Sequence, residues 1–315
     1  MQLFQNLSGA NLSEPTVLSI GTFDGLHLGH QFIIRQLNTA ARKLGAKSAV
    51  IAFHPRPKSV FKPDKFSNDY LTTAEERIAL FETLGLDVLL IMPFTLELAQ
   101  TTAYDFVKMV VERFNLKQLW VGHDFALGKN REGNVEKLTQ WGHEFNYTVC
   151  EIDPFLLDGE VVSSTNIRQE LSAGNVRQAA QLLGRYASLT SHIIQGAQRG
   201  RTIGIPTANF FIPAERLIPA NGVYATFIQR PGDNRRLPSV TNVGIRPSFG
   251  GEERAVETFI FDFDEDIYNQ TFTLEFVERL RPEKKFEGID ALVAQIKQDA
   301  EQARILLSEE IVSVG

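Results

Sequence analysis

Two histidines three residues apart, His27 and His30, sit in a stretch that also holds Gly21, Gly25 and Gly29 and that follows an apolar run at 17–20. A strand that passes through a glycine turn into a helix exposes backbone N–H groups at the helix N-terminus. There those donors and the helix dipole favour an anion, and phosphate is the natural occupant. On a helical turn both imidazoles lie on one side, and Gly29 between them permits close approach of backbone to ligand. The pair makes a poor zinc site, because no further Cys, His or carboxylate ligand accompanies it. Gly21 and Phe23 belong to the same candidate nucleotide turn, while Asp24 reads equally as a loop cap.

Farther along, Ser164, Thr165 and Arg168 open a segment of helical spacing. A guanidinium at the start of a helix can hold two phosphate oxygens at once, and the two hydroxyls can either donate to the same phosphates or cap the helix. A separate glycine-rich stretch, 200–209, contains Gly204, Pro206, Thr207 and Asn209. It is not a Walker A loop, since no Gly-Lys-Ser/Thr closes it, and the rest of the chain supplies none. It reads as a glycine-proline hairpin and then a strand. Thr207 and Asn209, two apart, would place hard oxygen donors on one side of an extended chain, which suits a magnesium ion already held by phosphates.

These residues need elements to carry them. Short apolar runs at 16–20, 48–53, 88–91, 118–121 and 147–152 alternate with helical spacing at 74–84 and 103–114, the pattern of a doubly wound parallel sheet covered by helices. Residues 163–183 read as helical and polar-faced, with Gly184 as a stop, which sets an expected boundary between domains 1–184 and 185–315. Beyond it, β-rich stretches at 186–195, 222–229, 237–243, 255–263 and 271–279 are separated by Gly, Pro, Asn and Asp, which favours a small antiparallel barrel. A last segment, 289–311, has Ile289, Leu292, Val293, Ile296 and Ala300 on one face and predicts a C-terminal helix packed on that barrel.

The 315 residues suit about two domains, and the composition, 43% hydrophobic and 22% charged, is that of an ordinary globular protein. A net charge of −6 argues against a nucleic-acid surface, and a lone cysteine, Cys150, forms no internal disulfide and favours a reducing compartment. With no signal-like start and no apolar run of membrane-spanning length, a cytoplasmic location is expected; oligomeric state is left open.

The His27–Gly29–His30 pattern resembles the nucleotidyltransferase superfamily, in which it holds ATP phosphates and stabilises departing pyrophosphate. Residues 53–57 (with Pro55 and Pro57), 121–128 (with Asp124) and 163–168 resemble, in that order, the FMN adenylyltransferase module of bacterial bifunctional riboflavin kinase/FAD synthetases. Residues 204–209, 221–224, 243–247, Val256 with Glu257, and 280–286 are similar to the riboflavin kinase module of the same family. The resemblance implies that ATP, with Mg²⁺, and the substrates riboflavin and FMN are the small-molecule partners and that FAD is the end product. It implies nucleotide contacts at Gly21, Phe23, Gly29, Asp124, Ser164, Thr165, Gly204, Thr207 and Asn209, with Thr207 and Asn209 at the metal. It places flavin near Pro55, Pro57 and Arg281, and gives catalytic roles to His27, His30, Arg168 and Glu257, the last as general base. The chain departs from the family at Phe259, where a histidine is frequent, and at Asn269, where a glycine is.

Overall fold

The computed structural model describes residues 1–66, 68–196, 204–233, 235–248 and 251–313, with side chains at all of them but 246–253 and 311–313. Residues 200–203 of the second glycine-rich stretch, and the side chains of Arg246 and Pro247, lie outside the described residues. The chain divides into two compact units, Met1–Ser164 and Thr165–Gly315.

In the first unit, β1 (Gln2–Phe4), β2 (Thr16–Gly21), β3 (Lys47–Phe53), β4 (Val88–Met92), β5 (Leu116–Gly122) and β8 (Thr148–Ile152) form one parallel sheet in the order β1-β4-β3-β2-β5-β8. Two short antiparallel ladders, β6 (Ala126–Leu127) with β7 (Gly133–Asn134) and β9 (Leu156–Leu157) with β10 (Glu160–Val161), decorate it. The helices are α1 (Leu28–Leu44), α2 (Pro57–Phe61), α3 (Pro63–Phe66), α4 (Ala74–Thr83), α5 (Ala103–Phe114) and α6 (Val135–Phe145).

Strand alternation sends Leu18, Ile20, Ile51 and Leu90 to one face, where they meet Phe106, Val110 and Phe114 of α5 and Leu138 of α6. The other face sends Val17, Val50, Ala52 and Leu89 against Ile34 and Leu37 of α1 and Phe81 of α4. Both faces are buried, which is why these strands read as unbroken apolar runs. All five expected strands are present. The additional strand, β1, is three residues long and only partly buried, too short to show any period. Strand order grows outward in both directions from β2 and β5, so the topological switch point lies between their carboxyl ends, where open α/β sheets bind ligands.

The second unit starts with α7 (Ser164–Ala173) and α8 (Val176–Leu183). The single helical stretch expected at 163–183 is broken there by Gly174, whose φ of +85° belongs to the left-handed region. The strands β11 (Ala187–Ile194), β12 (Ala208–Phe210), β13 (Gly222–Gln229), β14 (Arg236–Ser248), β15 (Gly251–Ile260) and β16 (Thr271–Arg281) close into an antiparallel barrel, ordered β11-β12-β15-β14-β13-β16. Its interior holds Tyr224, Phe276 and Leu274 together with a chain of buried hydroxyls, Ser239–Thr226–Thr241–Thr258, linked at 2.7–2.9 Å. Hydroxyls in the core are tolerated because each has a partner.

The outer face of β13, β14 and β16 presents Val223, Ala225, Phe227, Val240 and Val277 to the last helix, α9 (Ile289–Ser313). Ala303 and Leu307 are the fully buried contacts of that helix, while Ile289 is 66% exposed. The packed part of the expected stripe is therefore displaced toward the helix C-terminus. Among the described residues, no helix is long and apolar enough to cross a membrane.

Candidate active sites

The chain leaves β2 through a turn in which Phe23, Gly25 and Leu26 all have positive φ, at 50°, 81° and 35°. Glycine is required at position 25, where an added Cβ would also lie 2.7 Å from Leu71 Cδ1. His27 is the N-cap residue of α1, and its ring stacks on that of His30 with centroids 3.7 Å apart. Phe23 tilts against His30 at 5.0 Å. Gly29 lets the helix lie against His27: a Cβ there would meet its ring at 3.2 Å. The two imidazoles thus share a side at the N-terminus of a 17-residue helix, beside N–H groups whose partners are not supplied within the helix.

Asp24 is 1% exposed. Its carboxylate accepts from Leu71 N at 3.0 Å, Thr72 N at 3.2 Å and Thr72 Oγ1 at 3.3 Å, and pairs with Arg56 Nη1 at 3.2 Å. Of its two sequence readings, the placement is that of a loop cap. Arg56 in turn pairs with Asp69, donates to Phe66 O at 2.9 Å and lies 4.0 Å over the Tyr70 ring. A single buried cation therefore binds the segment after β3 to the glycine turn. Arg77, 0% exposed, does the same from the other side: Nη1 donates to Thr22 O at 2.7 Å and Phe53 O at 3.2 Å, and Nη2 lies 2.7 Å from His54 Nδ1. Burial, and then the Arg77 charge, hold the His54 pKa below its ordinary value. Sequence reasoning missed Arg77. The available signal was an arginine four residues before Phe81, on the buried stripe of α4.

Pro55 is exposed and Pro57 opens α2 at its first turn. Beside them an aromatic chain not singled out from sequence, Phe53–Phe94–Phe61, runs at centroid spacings of 5.5 and 5.7 Å along the carboxyl ends of β3 and β4. Asp124 is exposed just past β5, the strand next to β2, and its carbonyl accepts from Arg131. Ser164 Oγ donates to Asp24 O at 2.9 Å, which fixes it to the glycine turn. Gly21, Phe23, His27, Gly29, His30 and Ser164 are thus gathered within the first unit. Thr165 and Arg168 lie on α7 in the second unit.

On the barrel, Asn209 stands at the middle of β12, opposite Ile194 on one side and Glu257 of β15 on the other, and Glu257 is opposite Asn242 of β14. Their strand neighbours Ala208, Phe210, Val256 and Thr258 are buried in the barrel. By period-two alternation Asn209, Glu257 and Asn242 then form one polar row on the outer face. Gly196 passes so close to Asn209 that a Cβ would lie 2.3 Å from its Nδ2, so the amide lies against the Gly196 backbone.

Thr207, just before β12, lines a cavity of about 370 Å³ with Pro206, Ala208, Thr258 and the loop 263–268. Asp264, Glu265 and Asp266 line this cavity, whereas Asp262 is exposed and paired with Arg304. Gly204, at φ +75°, forms the exposed turn ahead of the cavity.

Phe259 packs among the barrel side chains beneath α9, 5.8 Å from Phe261. Asn269 takes the left-handed conformation, φ +60°, that its turn requires. Arg281 is braced by Asp299 of α9 through Nε at 3.0 Å and Nη2 at 2.8 Å. Tyr224 is buried with its hydroxyl on Ala220 O, and burial pushes its pKa up to about 12, so it is a neutral structural phenol. Among the described residues no group of three or more His, Cys, Asp or Glu could hold a metal. A cation here would take phosphate oxygens as its principal ligands, a donor set that Mg²⁺ accepts.

Comparison with known proteins agrees with this division of the chain. The family model for FAD synthetase matches residues 10–166 and that for riboflavin kinase matches residues 183–307. The chain is 35% identical over 301 residues to the bifunctional riboflavin kinase/FMN adenylyltransferase of Escherichia coli, covering 95% of each. It is 34% identical to that of Haemophilus influenzae, covering 96% of this chain and 98% of the relative, and 31% identical to that of Listeria monocytogenes, covering 93% of each. A crystal structure from Streptococcus pneumoniae, described as a macrolide-efflux protein, superposes with a TM-score of 0.86 at 32% identity, covering 96% of this chain and 98% of that one. Two family models in this order, and relatives aligned across both units, place the chain in the bifunctional riboflavin kinase/FMN adenylyltransferase family.

Proposed function

We propose that the chain makes FMN from riboflavin and ATP on the barrel and FAD from FMN and ATP at the glycine turn, with residues 1–184 and 185–315 as the two catalytic modules. The observation that carries this reading is the register of Glu257 against Asn209 and Asn242, which sets a carboxylate between two amides on one face of the barrel. A phosphate-binding glycine turn serves many nucleotidyl transfers. A carboxylate set among hard oxygen donors supplies what an alcohol needs to attack a terminal phosphate.

On the barrel, Glu257 takes the proton of the riboflavin 5′-hydroxyl as its oxygen bonds to the γ-phosphorus and the β,γ-bridging bond breaks, releasing ADP. Gly204 turns the chain over the nucleotide, and Thr207 and Asn209 would hold Mg²⁺, which neutralises charge on the phosphates. At the glycine turn, an FMN phosphate oxygen bonds to the α-phosphorus of ATP and pyrophosphate departs. His27 and His30 bear its charge, with Ser164 and the α1 N–H groups as further donors, while Thr165 and Arg168 keep the phosphate-binding role that the family resemblance gives them. Gly21, Phe23 and Gly29 shape the turn, and Asp124 faces the nucleotide. Pro55 and Pro57, beside Phe61 and Phe94, flank the flavin of FMN; Arg281, held by Asp299, borders the riboflavin of the kinase reaction. Neither step forms a covalent enzyme intermediate, so positioning and charge stabilisation supply the rate.

A cytoplasmic location, without nucleic-acid or membrane partners, belongs to the proposal and is supported by the −6 charge and single cysteine. The efflux description of the pneumococcal protein finds no counterpart among the sites described here. The test is chromatography of products from riboflavin with ATP and Mg²⁺: FMN is expected first and FAD after it. Absence of FMN would end the flavin reading, and undiminished turnover in a chelator would remove the metal from it.

A further inference from the structure

Arg77 lies on α4 and carries no chemical role above, yet it is fully buried and reaches the carboxyl edge of the sheet. Thr22 is the first residue after β2 and Phe53 the last of β3, and one nitrogen of Arg77 donates to both carbonyls, at 2.7 and 3.2 Å. Its second nitrogen meets His54 Nδ1 at 2.7 Å. The exits of two neighbouring strands are therefore fixed against one planar group. Those exits root the two loops that adenylyl transfer requires: the glycine turn for ATP, and the 54–57 loop for the flavin nucleotide.

We infer that Arg77 is a positioning residue for adenylyl transfer, setting the separation of the nucleotide turn and the flavin loop and hence of the α-phosphorus and the attacking phosphate. This rests on the two-site reading above. Arg77 acts through the loop roots and His54. Lysine cannot replace it, because a single ammonium on a flexible stem cannot serve acceptors spread across a rigid fork. A misplacement of about 1 Å between reacting groups can lower turnover by about 10²-fold while leaving ground-state binding in place.

The experiment uses the full chain with Arg77→Lys, His54→Asn and His54→Leu, measuring FAD formation from FMN and, in the same preparations, FMN formation from riboflavin. Arg77→Lys is expected to lower kcat for FAD formation by about 10²-fold, with KM for ATP and FMN within about threefold and FMN formation unchanged. His54→Asn, which keeps an acceptor for the guanidinium, is expected to stay close to the parent, and His54→Leu to lose about tenfold in kcat. Unchanged FAD formation in Arg77→Lys would overturn the inference. So would a loss confined to KM, or a parallel loss of both activities with a lower Tm, the signature of a purely structural role. Should Arg77→Lys fail to fold, the two His54 variants decide: equal activities overturn the inference. A parent chain that forms FMN but no FAD would overturn the two-site reading itself, and the inference with it.

Discussion

In the first unit the candidate side chains stand on loops and helix N-termini beyond the carboxyl ends of parallel strands, whereas on the barrel Asn209, Glu257 and Asn242 stand in register on the strands themselves. A ladder of backbone hydrogen bonds fixes the spacing of side chains on neighbouring strands, and a slip by one residue would move the whole row into the barrel. Loops have no such ladder. The glycine turn is instead secured by buried charge: Asp24 to Arg56 and to the 71–72 backbone, and Arg77 to Thr22 and Phe53. The two proposed sites thus depend on different physics. The first depends on distant buried cations, the second on register and on close backbone approach such as that of Gly196 to Asn209.

That contrast can be broken experimentally. The largest effect is expected from Glu257→Gln, which removes the proton acceptor and should lower FMN formation by about 10²- to 10⁴-fold while FAD is still made from added FMN. His30→Ala should do the reverse, lowering FAD formation by about 10²- to 10³-fold. Product chromatography reads both, and loss of both activities from either change in a folded chain would mean that the sites are not separate. Next, Arg56→Met leaves Asp24 buried without its cation and should destabilise the first unit by about 3–5 kcal/mol, measured by urea denaturation. The sharper readout is that FMN formation survives conditions under which FAD formation is lost. Thr73→Ala removes a reciprocal capping box with Glu76 at the start of α4, and about 1 kcal/mol of stability should go with it.

The smallest effect is a pH dependence. The His54 pKa is lowered from its ordinary 6.5 in the folded chain, chiefly by burial. Below 6.5 the unfolded chain binds the additional proton, so this contribution to stability is complete above that pH and declines as pH falls toward the folded value. Denaturation of the parent and of His54→Asn across that range should converge at the acid end, and parallel curves would count against the assignment.

Much of this was legible in the residues. The five parallel strands were readable because both sheet faces are buried, and the barrel strands because turn residues punctuate them. His27, Gly29 and His30 were readable because helical spacing alone puts two residues three apart on one side. The hidden parts depend on long-range contacts. Asp24 meets residues 71 and 72, nearly 50 positions away, so nothing local separated a ligand contact from a cap. The composition of the acidic run Asp264, Glu265 and Asp266 says nothing of the cavity that it borders. The break at Gly174 went unseen because an isolated glycine within a helical pattern is often tolerated.

By itself the sequence determined the residue types available for phosphate chemistry, the parallel sheet, the barrel and the resemblance in motif order. These follow from local periodicity, from glycine's access to positive φ and from side-chain chemistry, none of which needs a distant partner. Tertiary structure decided the rest. It stacked His27 on His30 at 3.7 Å, set Glu257 between Asn209 and Asn242, and committed Asp24, Arg56 and Arg77 to holding loops. A charged side chain carries the same label in either role, and only burial with a partner in place tells one from the other.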